Sequence, residues 1–112
     1  MISQTLAQEV SQMEADLCSA FADPTRILIL YTLDESPRNV GELAEELQVP
    51  QPTISRHLKV LRDRGLVVGA RQGANIQYQL VDKRLIQALD ILRSLMRDRI
   101  AYRANLIEQV TT

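Results

Sequence analysis

The stretch Pro52-Thr53-Ile54-Ser55-Arg56-His57-Leu58-Lys59-Val60-Leu61-Arg62-Asp63-Arg64-Gly65 carries the decisive pattern of this 112-residue chain. Ile54, Leu58 and Leu61 recur at the three- and four-residue steps of a helix, with a proline in the first turn and a glycine at the stop. The spacing predicts a helix from Pro52 to about Arg64 that buries one side and ends at Gly65. Turning 100° per residue from an inward Ile54 sends Pro52, Arg56, Lys59 and Asp63 to the far side, with Thr53 and Ser55 on the flanks near the N-terminus. Charge concentrates in the same place. Residues 51–73 hold Arg56, Lys59, Arg62, Arg64 and Arg71 against Asp63 alone. Residues 1–23 hold Glu9, Glu14, Asp16 and Asp23 with no Lys or Arg, and residues 34–50 hold five acids and only Arg38. The total of -1 excludes a bulk-basic nucleic-acid binder, yet leaves one basic segment suited to an anionic partner.

Working outward, Asn39 with Glu42 three residues on is a loose capping box that opens a short helix, Val40 to Leu47, with Val40, Leu43, Ala44 and Leu47 inside. Four residues, Gln48 to Gln51, join it to the next. Two helices joined by so short a turn form a helix-turn-helix, whose second helix is the one offered to DNA. Further upstream, the run Ile27 to Leu30 is apolar all round and periodicity alone permits a strand. Asp23 followed by Pro24 decides for a helix from Pro24 to about Leu33. Leu6, Val10, Met13 and Leu17 share one face of a first helix.

Beyond Gly65 the period changes to two. Ile76, Tyr78 and Leu80 alternate with Gln77 and Gln79, and Leu66 to Arg71 is the partner strand across Gln72-Gly73-Ala74-Asn75, a hairpin. Asp82 then caps a final helix in which Leu85, Leu89, Leu92, Met96, Ile100 and Ile107 form an apolar stripe, with Leu95 and Leu106 beside it. A helix of about 25 residues is too long for so small a domain to cover, so this stripe and the acidic first helix are expected to pack on a second copy of the chain.

Composition sets the remaining bounds. With 46% apolar and 24% charged residues the chain reads as one soluble folded domain. It lacks an apolar run of membrane-spanning length and a basic signal-peptide start, so a cytoplasmic protein with no membrane partner is expected. Cys18 is the lone cysteine, which permits no internal disulfide and no structural zinc site of the two- or four-cysteine kind.

The segments Ala22-Asp23-Pro24-Thr25-Arg26-Ile27-Leu28-Ile29-Leu30, Glu42-Leu43-Ala44-Glu45-Glu46-Leu47 and Gln51 to Arg62 followed by Gly65-Leu66-Val67 resemble the ArsR family of bacterial transcriptional regulators. The resemblance implies a mainly α fold with a small β-hairpin, the winged helix-turn-helix, in a homodimeric repressor released from DNA by an effector. On that pattern residues 1–112 are one domain. Residues 1–20 are a dimerisation helix, 21–81 the winged core and 82–109 a second dimerisation helix. The dimer interface is assigned to Leu6, Val10, Met13, Leu17, Leu85, Leu89, Leu92, Met96 and Ile100. Family metal sensors use a Cys-x-Cys pair in the third helix or His and Asp residues of the last. Here Glu42 to Leu47 has no thiol and Lys83 to Gln109 has no histidine, so no metal or other cofactor is expected and the effector is unknown.

Individual residues follow from chemistry. Arg56 offers bidentate donors for guanine, Gln51 can pair with adenine, and Thr53, Ser55 and Lys59 can position phosphates of a double-stranded operator. For Gln51 and Thr53, helix capping competes with that role. His57, at the edge of the buried face, is read as a DNA-backbone contact. Arg71, Gln72 and Asn75 flank the hairpin turn and can reach the minor groove or phosphates, and Gly73 there is expected to take a positive backbone angle. Cys18 is a small buried filler or a weak redox or effector switch. No nucleophile with a base and no phosphate loop argues for an enzyme. The competing reading is a winged helix that binds an acidic protein instead of DNA.

Overall fold

Capping side chains set where three of the helices begin. In the computed structural model, which describes residues 1–111, the chain opens with α1 (Gln4–Glu9), a π-helical stretch (Val10–Glu14) and α2 (Ala15–Ser19). Ser3 starts α1 by accepting from the backbone of Leu6 at 3.1 Å. The sequence leads one to expect a uniform first helix, but the N–H of Ala15 reaches back five residues to Val10. This wider turn shifts the phase of Met13 and Leu17 relative to Leu6 and Val10. Leu6, Val10 and Met13 are exposed and Leu17 is half-buried.

Asp23 caps α3 (Pro24–Glu35), its Oδ1 accepting from the N–H of Thr25 at 2.7 Å and of Arg26 at 3.3 Å. Proline at the first helical position gives up an N–H that would have no partner. The run Ile27–Leu30 is thus helical, and α3 continues past Leu33 so that Asp34 and Glu35 lie in its last turn. The Asn39–Glu42 capping box is complete, with 2.8 Å and 2.9 Å bonds in the two directions, and opens α4 (Val40–Leu47).

Helix α5 (Gln51–Asp63) begins one residue before the expected Pro52, leaving three residues, Gln48, Val49 and Pro50, as the turn. Gln48 makes it sharp by adopting the left-handed conformation at φ 57°. At the far end Gly65 takes φ 76°, its N–H bonds to Arg62 at 2.9 Å, and that of Leu66 to Leu61 at 2.9 Å. That pairing is the Schellman motif, which satisfies two terminal carbonyls.

Strands β1 (Val67–Gln72) and β2 (Asn75–Leu80) pair antiparallel, Val67 with Leu80 through Gln72 with Asn75. Gly73 opens the two-residue loop at φ 61°, the position where a type II′ turn requires glycine. Gly69 is needed for space: a Cβ there would lie 2.8 Å from Ile76 and 3.1 Å from Tyr78. A feature not read from the sequence is a bridge to β2 from the segment before α4. Arg38 donates its N–H to the Tyr78 carbonyl at 3.1 Å, and Tyr78 returns the bond at 2.8 Å.

The core of residues 1–82 is built from Ala20, Ile29, Leu30, Leu33, Leu43, Ile54, Leu58, Leu61, Leu66, Val67 and Tyr78, all buried. Helix α3 packs on α4, α5 and β2, and α5 packs on α4 and β1. The last helix, α6 (Arg84–Thr111), belongs to a second compact unit that begins at Lys83. Its first residue lies two positions after Asp82, the expected cap.

Candidate nucleic-acid interface

The apolar row Ile54, Leu58 and Leu61 locks one side of α5 into the core, which forces the opposite side outward. Gln51, Pro52, Ser55, Arg56, Lys59, Arg62 and Asp63 are exposed, and Thr53 is half-buried. Two internal contacts order the long side chains on this face. Arg56 donates to the Thr53 hydroxyl at 3.2 Å, and Lys59 donates to the Asp63 carboxylate at 2.9 Å. The Lys59 hydrogen bond outweighs partial desolvation and, with the charges of Lys59, Arg62 and Arg64, holds the Asp63 carboxyl below its ordinary range. Arg62, seven residues after Ser55, shares the exposed face and was missed as a site residue; two helical turns from Ser55 was the available signal.

Capping by Gln51 or Thr53 does not occur. The residue at the cap position is Pro50, no side chain accepts from the first turn, and the Thr53 oxygen is turned to Arg56 instead.

His57 lies apart from the exposed face on which a DNA-backbone contact was expected. Its side chain is only 15% exposed, with Nε2 3.7 Å from Asp23 Oδ1 and Nδ1 3.3 Å from the Arg26 guanidinium. Three residues after the buried Ile54, the ring is carried toward the start of α3 and away from the row of Arg56 and Lys59. Desolvation alone would raise the Asp23 carboxyl. The N–H groups of Thr25 and Arg26, the charge of Arg26 and, when its ring carries a second proton, that of His57 outweigh it, so the carboxyl is held below its usual value. Arg64 also leaves the exposed face: its Nε donates to the Asp16 carbonyl at 3.2 Å and faces the Asp16 carboxylate at 3.3 Å.

At the hairpin tip Arg71, Gln72, Gly73, Ala74 and Asn75 are all exposed. The tip and the outward side of α5 therefore present Arg56, Lys59, Arg62 and Arg71 with polar Gln51, Ser55, Gln72 and Asn75, against the single acid Asp63.

Other expected sites fall differently. Cys18 is exposed, which removes the buried-filler reading. Of the residues assigned to a dimer interface on the last helix, Leu92, Met96 and Ile100 are exposed, whereas Leu85 is half-buried and Leu89 is already buried in the single chain. Ile86, near Leu89, is buried as well. Among the described residues no cluster of three His, Cys, Asp or Glu side chains is placed to hold a metal ion. Nor is any helix among them long and apolar enough to cross a membrane.

Comparison with known proteins places this arrangement. The family described as bacterial regulatory protein, arsR family, matches residues 23–68, from the α3 cap into β1. The chain is 44% identical over 78 residues to the HTH-type transcriptional repressor SmtB of Mycobacterium tuberculosis, a match that takes in 70% of this chain and 58% of SmtB. This chain therefore spans less than two thirds of that relative's length. The HTH-type transcriptional regulator NmtR of the same organism is 42% identical over 88 residues, covering 79% of this chain and 69% of NmtR. The solution structure of the homodimeric winged helix-turn-helix DNA-binding domain of Mb0332 from Mycobacterium bovis superposes with a TM-score of 0.76 at 22% identity, over 90% of this chain and 93% of that one. At that identity the likeness is one of fold, and the fold is the winged helix-turn-helix. With the capped α3, the helix-turn-helix of α4 and α5 and the β hairpin all matched in sequence or in space, the chain belongs to the arsR family of bacterial regulatory proteins.

Proposed function

We propose that this protein is a cytoplasmic DNA-binding transcriptional regulator, a repressor that acts as a two-fold dimer and is not an enzyme. The observation that carries the reading is the outward face of α5, where Ser55, Arg56, Lys59 and Arg62 lie in the open while Ile54, Leu58 and Leu61 anchor the helix from behind. In this reading α5 enters the major groove of a duplex operator. Arg56 and Gln51 reach base edges, Thr53 holds the Arg56 head, and Ser55, Lys59 and Arg62 meet phosphates. The hairpin tip lies along the backbone or in the adjacent minor groove through Arg71, Gln72 and Asn75. The names of SmtB as a repressor and of the Mb0332 domain as a homodimer support the same reading.

The dimer follows from exposed apolar surface. Leu92, Met96 and Ile100 on α6, with Leu6, Val10 and Met13 on the N-terminal helix, are 42–66% exposed in the single chain. A dimer that reads two half-sites must present its two α5 helices roughly 34 Å apart, one turn of duplex. The N-terminal helix is acidic, whereas residues 83–103 hold Lys83, Arg84, Arg93, Arg97, Arg99 and Arg103 against Asp90 and Asp98. The two interface helices are therefore of opposite sign. The effector is not identified by these residues. Cys18, exposed one residue after Leu17, is a candidate for thiol modification.

Titration of the protein onto duplex DNA from upstream of its own gene, at several salt concentrations, tests the reading. Phosphate contacts release counterions, so affinity should fall steeply and linearly on a log-log plot. Binding that is absent, or indifferent to salt, would favour a winged helix that meets an acidic protein.

A further inference from the structure

The Arg26 side chain joins three segments. Its Nε donates to the Ala20 carbonyl at 2.7 Å and a terminal nitrogen donates to the Ser19 carbonyl at 3.4 Å, both at the end of α2. The other terminal nitrogen lies 3.3 Å from His57 Nδ1 in α5. A guanidinium has donors and no acceptor, so in a neutral ring Nδ1 would accept and the proton would sit on Nε2. That nitrogen is the one facing Asp23 at 3.7 Å. Arg26 and Asp23, both at the start of α3, are the charged groups facing the ring. On α5 itself Arg56 and Lys59 lie on the exposed face, and α2 meets Arg26 through backbone carbonyls. Farther along, Arg64 ties the other end of α5 to Asp16 of α2.

We propose that Arg26 is a positioning residue for DNA binding, a latch that fixes the roll of α5 against the end of the N-terminal helix through the neutral His57 ring. The proposal rests on the DNA-binding reading above. Ser55 and Arg56 immediately precede His57, and base readout needs its donors held within about 0.5 Å and 10–20°. Protonation of His57 removes the acceptor and sets a second cation beside the guanidinium. The attraction to Asp23 opposes this, but Asp23 Oδ1 is already shared by two backbone N–H groups. Acidification therefore releases the latch and weakens specific binding. A histidine lying on phosphate would give the opposite sign, because its protonation adds a phosphate contact.

The test has two readouts: the ¹⁵N chemical shifts of the His57 ring in the DNA-free protein, and affinity for the specific duplex between about pH 5.5 and 8, where histidine changes charge. The wild type should show the Nε2–H tautomer and lose affinity on acidification. Loss of a charge-assisted bond predicts that Arg26→Gln binds about tenfold more weakly at pH 8, with a flat pH profile. Its melting temperature should stay near that of the wild type. His57→Asn, which keeps an oxygen near the Nδ1 position but cannot titrate, should also be flat. If Arg26→Gln does not fold, the tautomer and His57→Asn decide. An Nδ1–H ring, an Arg26→Gln variant with wild-type affinity and pH profile, or affinity that rises on acidification would each overturn the latch while leaving DNA binding standing. A wild-type protein with the Nε2–H ring that binds no duplex overturns the DNA-binding reading, and the positioning role with it.

Discussion

The helix-turn-helix core and the last helix use the same kind of apolar spacing to opposite ends. In α5 the row Ile54, Leu58 and Leu61 is fully covered by the chain's own α3, α4 and β1. In α6 the apolar side chains from Ile91 to Ile107 stay between 41% and 70% exposed. A three-to-four-residue period states that a helix has a face to bury and is silent on what buries it. The core closes on itself, whereas α6 beyond Leu89 keeps its apolar face exposed, the surface on which the proposed dimer rests.

The first way to sharpen that contrast is to damage each face in turn. Leu58→Ala should cost about 2–5 kcal/mol of folding stability, since it empties a site with no room to relax, and chemical denaturation would measure it. Leu92→Glu combined with Met96→Glu should leave the circular dichroism of the core intact and shift the protein from dimer to monomer in sedimentation at micromolar concentration. Losing the second half-site should lower specific DNA affinity by about a hundredfold or more. A dimer that survives both charges would break the contrast. Within α5 the buried and exposed sides should also separate. Arg56→Ala is expected to cost about 1–3 kcal/mol on the specific site with little change in stability, while Lys59→Ala should weaken all sequences alike and reduce the salt slope by about one. If Arg56→Ala changed neither specific nor non-specific affinity, the outward face of α5 would not be the reading face. The smallest effect belongs to the turn between α4 and α5. Gln48→Gly should raise stability by up to about 1 kcal/mol, because glycine enters the left-handed region without the Cβ clash, and a thermal melt would detect it.

Much of the winged core was readable because its signals are local. Asp23-Pro24, the Asn39–Glu42 box and Gly65 each act within four residues, and each does in the structure what its chemistry predicts. Boundaries were less secure. Pro52 reads as a first-turn proline, yet α5 starts at Gln51, because the left-handed Gln48 completes the turn in three residues and no sequence rule marks a glutamine for that conformation. The π-helical stretch from Val10 to Glu14 leaves no mark in the pattern either, since one extra residue per turn displaces an apolar side chain by less than the width of a face. The Arg38 bridge to Tyr78 was invisible for another reason: a single pair of backbone bonds between segments 40 residues apart has no periodicity.

The sequence by itself determined the order of elements, the capped starts of α3 and α4, the glycine-dependent hairpin turn and the basic segment from Arg56 to Arg71. All of these rest on covalent chemistry or on neighbours a few positions away. Only the tertiary structure decided the partners of the polar residues on α5. It sends His57 to Asp23 and Arg26, Arg64 to Asp16, and leaves Arg62 in the open with Arg56 and Lys59. A helix fixes the angle between its side chains but not which of them meets a neighbour. That depends on how α3 and α2 pack beside it, and the contacts involved join residues 31 and 48 positions apart.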